Sequence, residues 1–279
     1  MARSDRTMTC GPLVVASAQV DTGGMTSTEI TLGIDFLHVG GPTALIEIGG
    51  VRVVTDPTFS APGTFPVGER ALTKYTGPAL DAASIQPVDV VLLSHHQHPD
   101  NLDPAGRELI DRAPLTLSTI SAAAAIDAVT GLTPWEATTL AADPAITVTA
   151  VPALHGSEEL SGPVIGFVLS GTAIPTVYIS GDNSSVAVVE EIVGRVGRID
   201  LAVLFVGAAR RPDLDDPLTL TAEDAVTAAR LLGDAVIVPI HAEGWLHFTE
   251  GPGTVARAFR EAGLFDRLRI PLSGKVLAL

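Results

Sequence analysis

Cysteine occurs once in the 279 residues, at Cys10, which excludes a disulfide framework and gives no sign of an oxidising compartment. The expected location is the cytoplasm. Basic residues are also few: Lys+Arg 17 against Asp+Glu 32 gives a formal charge of −15, a field that repels a phosphate backbone. Nucleic acid is therefore not an expected partner. No apolar run approaches the about 18 residues of a membrane span, although 46% of the chain is hydrophobic and can bury a sizeable core. Histidine is scarce as well, with seven copies, and its distribution is uneven.

Three of the seven histidines lie in Ser94-His95-His96-Gln97-His98-Pro99-Asp100-Asn101-Leu102-Asp103. This segment follows Val88-Asp89-Val90-Val91-Leu92-Leu93, a short β-branched run that reads as a buried strand delivering polar residues to a sheet edge. If the segment continues extended, alternate side chains share a face, so His96, His98 and Asp100 converge while His95 points away. Two imidazoles and a carboxylate make part of a metal site. Zinc and its neighbours need four or more ligands, so further donors must come from elsewhere in the chain.

Taken in order, Met1 to Gly24 reads as a disordered extension, with Met25 an alternative start and a signal peptide the lesser reading of Ala16-Ser17-Ala18. Residues 25–279 read as one domain without repeats or linkers. Strands are expected over Ile30–Val39, Thr43–Ile48 and Val51–Thr55, the last two joined by Gly49-Gly50. Asp56 follows, either as a turn former or as a partner that orients a metal-bound imidazole. Pro57 to Pro87 is a long, weakly periodic stretch holding Phe59, Phe65 and Tyr75. It reads either as a lid or pocket wall, or as a covering loop.

Helices are expected over Pro104–Ala113, Ser121–Val129 with Ser121 as cap, Ser185–Val196, Thr221–Leu232 and Gly253–Gly263. Strands over Leu115–Ser118, Ile146–Val151, Val164–Ser170, Thr176–Ser180, Leu201–Val206 and Ala235–Ile240 alternate with them. Three of these strands run into His155, Asp182 and His241. Open α/β architectures assemble sites at the carboxyl ends of strands, so these residues can join the histidine segment around one crevice.

The spaced set resembles the metallo-β-lactamase superfamily, whose signature is His-x-His-x-Asp-His followed by a distant His, Asp and His. The resemblance covers about residues 27–279. The segments Gly41–Glu47, Thr55-Asp56-Pro57 and Val238–Trp245 are most similar to the L-ascorbate-6-phosphate lactonase-like branch. The resemblance implies a four-layer αββα sandwich with one or two divalent ions, zinc first, with manganese or iron as alternatives. It implies that His96, His98 and His155 hold the first ion, Asp100 and His241 the second, with Asp182 bridging. Asn101 stands where the motif has its last histidine and offers a weaker amide oxygen.

The reaction so implied is hydrolysis of a small-molecule ester, lactone or phosphoester by metal-activated water, with Asp100 orienting the attacking oxygen. Asp182 shares in that chemistry as the bridge. His247 either packs or protonates a leaving group. Arg210-Arg211 either bind an anionic substrate group or form a solvated pair, and His38 reads as a satisfied strand residue. Two other functions stay open: a non-hydrolytic binding or sensory module with a degenerate site, and a mononuclear iron oxidoreductase on the same fold.

Overall fold

The computed structural model describes residues 31–279, so the expected extension over residues 1–24, Cys10 and the start of the strand expected from Ile30 lie outside the described residues. The first half of the chain builds β1 (Ile34–Gly40), β2 (Thr43–Ile48), β3 (Val51–Thr55), β4 (Gly63–Val67), β5 (Arg70–Lys74), β6 (Val90–Leu92), α1 (Pro104–Ile110), β7 (Leu115–Thr119), α2 (Ile120–Ala125) and β8 (Thr130–Leu132). The second half builds β9 (Ala137–Leu140), β10 (Ile146–Pro152), α3 (Glu158–Ser161), β11 (Ile165–Gly171), β12 (Ile174–Ile179), α4 (Val186–Val196), β13 (Leu201–Phe205), α5 (Ala222–Leu231), β14 (Val236–Ile240), α6 (Pro252–Glu261) and β15 (Val276–Ala278).

Two sheets result, with strand orders β15-β1-β2-β3-β6-β7-β8 and β14-β13-β12-β11-β10-β9, and β4 pairs with β5 as a separate hairpin. The period of two along each strand sorts its side chains into layers. In β13, Leu201, Val203 and Phe205 enter the core between the sheets, while Ala202 and Leu204 face the layer that holds Val189 of α4, Ala225 of α5 and Phe259 of α6. In the other sheet, Val90 and Leu92 of β6 join the central core, and Val91 packs with Leu109 of α1 and Ala122 of α2. The order is therefore helix, sheet, sheet, helix, with three apolar cores between four layers.

Strand direction gathers the strand ends that matter. β3 and β6 are parallel, as are β12, β13 and β14, and two antiparallel steps through β11 make β10 parallel to β12. The ends of β6, β10, β12 and β14 consequently open on one edge of the molecule. There the two sheets approach closely: Gly181 has φ +56°, and a Cβ on it would lie 2.6 Å from the Ile165 carbonyl oxygen and 2.9 Å from the Ser94 Cβ.

One local expectation is corrected and another is filled in. α2 is capped by Thr119, whose hydroxyl accepts from the Ala122 amide at 3.1 Å, and it ends at Ala125 because Ile126 turns extended and drops into the core with Val129. The stretch Pro57–Pro87 contains the β4–β5 hairpin, held to the body by the Lys74–Trp245 bridge and by Phe65 against the Trp245 ring at 5.6 Å, and its Val67, Arg70 and Leu72 form part of a cleft wall.

Candidate metal centre

After Leu92 the chain leaves the β-ladder and runs through bends and a turn to Asp103. Period-two alternation therefore stops applying, and residues three apart converge. His95 and His98 turn inward, with His95 Nε2 2.9 Å from His98 Nδ1, and His155 Nε2 lies 3.2 Å from the same His98 nitrogen. Asp182 Oδ2 is 3.6 Å from His155 Nε2. One potential ligand atom from each of His95, His98, His155 and Asp182 lies within 4.8 Å of every other, and all four residues are buried. This corrects the reading of His96 as a ligand and of His95 as pointing away: His96 is half-buried and lines a separate surface groove with Arg107.

The chain sets the tautomers of this group. His155 Nδ1 is 2.7 Å from the Leu218 carbonyl, which can only accept, so the proton sits on Nδ1 and Nε2 keeps a lone pair. Ser94 Oγ is 2.8 Å from Asp56 Oδ1 and 2.9 Å from His95 Nδ1. A hydroxyl that donates to the carboxylate accepts from the imidazole, which leaves His95 Nε2 bare as well. Asp56 thus closes the turn after β3, at φ +29°, and orients His95 through Ser94.

Protonation follows the environment. Burial lowers the His95 pKa well below the usual imidazole range, and the facing His98 and His155 add to it. Burial likewise brings His98 down to about 4. Both shifts favour the neutral imidazole, which is the ligand form.

A second group shares Asp182. Asp100, Asp182 and His241 meet behind the first, with His241 Nε2 3.4 Å from Asp100 Oδ2 and His241 Nδ1 3.3 Å from Asp182 Oδ1. Burial works against charge on His241, but Asp182, Asp100 and Asp56 together raise its pKa. Burial opposes the charge on Asp100 too, yet the facing His247 and His241 hold its carboxyl well below the ordinary range. His241 has φ +58° and its amide donates to the Gly41 carbonyl at 2.8 Å. Left-handed backbone of that kind costs about 1–3 kcal/mol and concentrates at functional sites.

Asn101 donates its amide nitrogen to Asp182 Oδ1 at 3.2 Å, and its Oδ1 has no hydrogen-bond partner. His247 Nε2 is 3.0 Å from Asp100 Oδ2 at the mouth of the site, and its ring packs on Phe248 at 4.5 Å. Arg210 and Arg211 line the same cleft, while His38 is satisfied elsewhere by Gly41 and Ser273.

The donor set fits a cation. Asp100 Oδ1, Asp182 Oδ2, Asn101 Oδ1 and both ring nitrogens of His241 are buried without a hydrogen-bond partner. Such a concentration of orphaned polar atoms, three of them oxygens that can only accept, is costly unless a positive centre completes it.

A model of the beta-lactamase superfamily domain matches residues 51–242, the span from β3 to just past His241. The chain belongs to that superfamily. Its four layers are the metallo-β-lactamase fold. A metal-dependent hydrolase from Pelotomaculum thermopropionicum is 29% identical over 125 residues, which is 45% of this chain, and the chain spans only 50% of that relative. The crystal structure of an isothiocyanate hydrolase from Delia radicum gut bacteria superposes with a TM-score of 0.76 at 22% identity, over 88% of this chain and 99% of that one. A novel metallo hydrolase from Ignicoccus hospitalis gives 0.67 at 19%, over 88% and 97%. At these identities the two structures show likeness of fold. No helix among the described residues is long and apolar enough to cross a membrane.

Proposed function

We propose that the chain is a metal-dependent hydrolase acting on a small-molecule ester, lactone or phosphoester. The observation that carries this reading is the pair of buried donor groups that share Asp182, with unpartnered polar atoms on Asp100, Asn101, Asp182 and His241. His95, His98, His155 and Asp182 would hold one divalent ion, and Asp100, Asp182 and His241 a second. The imidazole-rich group favours zinc, with manganese or iron as alternatives for the carboxylate-richer one. A bound ion would supply Lewis acidity to a carbonyl or phosphoryl oxygen and would acidify water.

The residues around these groups have distinct parts in that reading. Asp56 and Ser94 fix the His95 ring. Asp100 accepts a proton-bearing nitrogen of His247, and His247, at the cleft, can pass that proton to a leaving group. Asn101 restrains Asp182 through its amide. A binding module without a cation is disfavoured, because it would leave the buried carboxylates and imidazole lone pairs uncompensated.

The finer reading is a lactonase-like enzyme. It is supported by the segments Thr55-Asp56-Pro57 and Val238–Trp245, which supply the two left-handed residues of the site, Asp56 and His241. The names of the similar proteins support hydrolysis generally and add isothiocyanates to the substrates worth testing. The charge of −15 supports a small-molecule substrate over nucleic acid, and the single cysteine supports a cytoplasmic location.

The test is metal analysis of the purified protein for zinc, manganese and iron together, coupled to turnover of lactones, phosphodiesters, β-lactams and isothiocyanates. The parent is expected to hold metal and hydrolyse one of these classes. Asp182→Asn, which keeps the shape and removes the shared charge, is expected to lose metal and to slow turnover by orders of magnitude. A chain that takes up no metal, or an Asp182→Asn variant equal to the parent in metal content and rate, would overturn the proposal.

A further inference from the structure

The cleft above the two donor groups has a cationic rim for which the hydrolytic chemistry has no use. In a chain with Lys+Arg 17 against Asp+Glu 32, the three arginines Arg70, Arg210 and Arg211 line the same cleft as His98, Asp100, His155 and His247. Their charges are not equally engaged. Arg211 forms a two-pronged pair with Asp213, Nε to Oδ1 at 2.9 Å and the terminal nitrogen to Oδ2 at 2.6 Å, so its charge is met. Arg210 donates to a neutral acceptor, the Asp215 carbonyl, at 2.5 Å, which orients the guanidinium and leaves its charge in place. The Arg70 guanidinium makes no hydrogen bond or ion pair to the described residues.

Both are placed by backbone. Arg70 opens β5, and the turn before it returns the chain from β4, so the hairpin carries the residue over the site. The Arg210 amide donates to the His247 carbonyl at 3.0 Å, which sets Arg210 beside the residue that faces Asp100. Neither arginine has a carboxylate in direct contact, although Arg70 is close enough to Asp213 to help lower its pKa, so both guanidinium groups are free to take an anion in the cleft. Beneath the arginines the cleft wall is apolar, formed by Val67, Leu72 and Leu218.

We infer that Arg70 and Arg210 form an anion-binding subsite, so that the substrate carries a carboxylate or phosphate group on a short apolar body. This rests on the hydrolase reading of the same cleft. The anion sits between the two guanidinium groups, the body lies on Leu72 and Leu218, and the scissile group reaches His98, His155 and Asp100. Arg211, already paired with Asp213, has no part in the clamp.

The test is calorimetric binding to the metal-loaded protein, using monomethyl succinate against dimethyl succinate and monomethyl phosphate against trimethyl phosphate. The parent is expected to prefer at least one of the anionic esters over its neutral partner by about tenfold or more. Whichever pair shows the larger ratio names the anion. Arg70→Gln with Arg210→Gln should abolish the preference, Arg70→Lys should keep part of it, and Arg211→Gln should leave it intact. An anion held by the metal groups alone would show the same preference in the double variant, and that result overturns the subsite, as does a parent with no preference. Because binding is read without turnover, a preference lost in the double variant of a protein that hydrolyses nothing sustains the subsite and sinks only the hydrolase reading.

Discussion

A single peptide bond separates a buried imidazole, His95, from a half-buried one, His96, and their surroundings differ in kind. His95 is locked by Ser94 on one nitrogen and faces His98 with the other, whereas His96 has neither contact and looks onto an open groove. The consequence is a paired measurement. His95→Ala removes a donor from the group that includes His98, His155 and Asp182, and it is expected to lower metal affinity by more than the about 10–100-fold that loss of an orienting partner costs. His96→Ala is expected to bind metal like the parent. Titration of both variants with zinc, followed by a chromogenic chelator, separates the two, and equal affinities would return His96 to the ligand set. The donors at the ends of β10, β12 and β14 are legible in sequence because each ends a β-branched run, so position alone sends His155, Asp182 and His241 to one edge. His95 is not legible by the same rule, since alternation holds only while the chain stays in the ladder and it leaves after Leu92.

At the scale of elements, the turn that carries His95, His98 and Asp100 depends on Asp103, whose carboxylate holds three segments together. It caps α1 by accepting from the Gly106 amide at 2.9 Å, accepts from the Phe59 and Ser60 amides at 3.0 and 2.7 Å, and receives Lys74 Nζ from β5 at 3.1 Å. Lys74 is 4% exposed, and burial lowers its pKa although Asp103 faces it. Asp103→Ala would strand that ammonium in the interior, a change that costs about 3–5 kcal/mol. Urea denaturation should report a loss of that size, and Asp103→Leu with Lys74→Met should recover much of it because no charge is then left unpaired. A loss below about 1 kcal/mol, the size of a helix cap alone, would mean that Lys74 escapes to solvent. This arrangement also explains why the hairpin β4–β5 is hard to read in sequence. Its strands are five residues each, β4 contains Pro66, and much of what holds it is non-local, in Lys74, Asp103 and Trp245. Helix signals are local but not uniform: Thr221 and Asp224 cap each other at the start of α5, whereas α2 takes Thr119 rather than Ser121 as its cap.

For the molecule as a whole, the candidate centre lies where the ends of the two sheets meet. His95, His98 and Asp100 follow β6 of one sheet, while His155, Asp182 and His241 follow β10, β12 and β14 of the other. Asp56, Asp100 and Asp182 bring three buried carboxylates into this seam, and burial together with Asp182 raises the Asp56 pKa well above the ordinary carboxylate range. Without a cation the seam sets carboxylates against one another and leaves buried polar atoms of Asp100, Asn101, Asp182 and His241 without partners, so an ion that binds only the folded chain should stabilise it. Linkage gives the size: free metal at a thousand times its dissociation constant adds about 4 kcal/mol. Thermal unfolding at fixed pH should therefore shift to lower temperature on chelation and rise again with the logarithm of added zinc. The control is His95→Ala with His98→Ala, which should abolish the metal dependence of the melting temperature while the variant still unfolds cooperatively. If the parent melted at the same temperature in chelator and in excess zinc, manganese and iron, the seam would be closed by the protein alone and the donor groups would not constitute a metal centre.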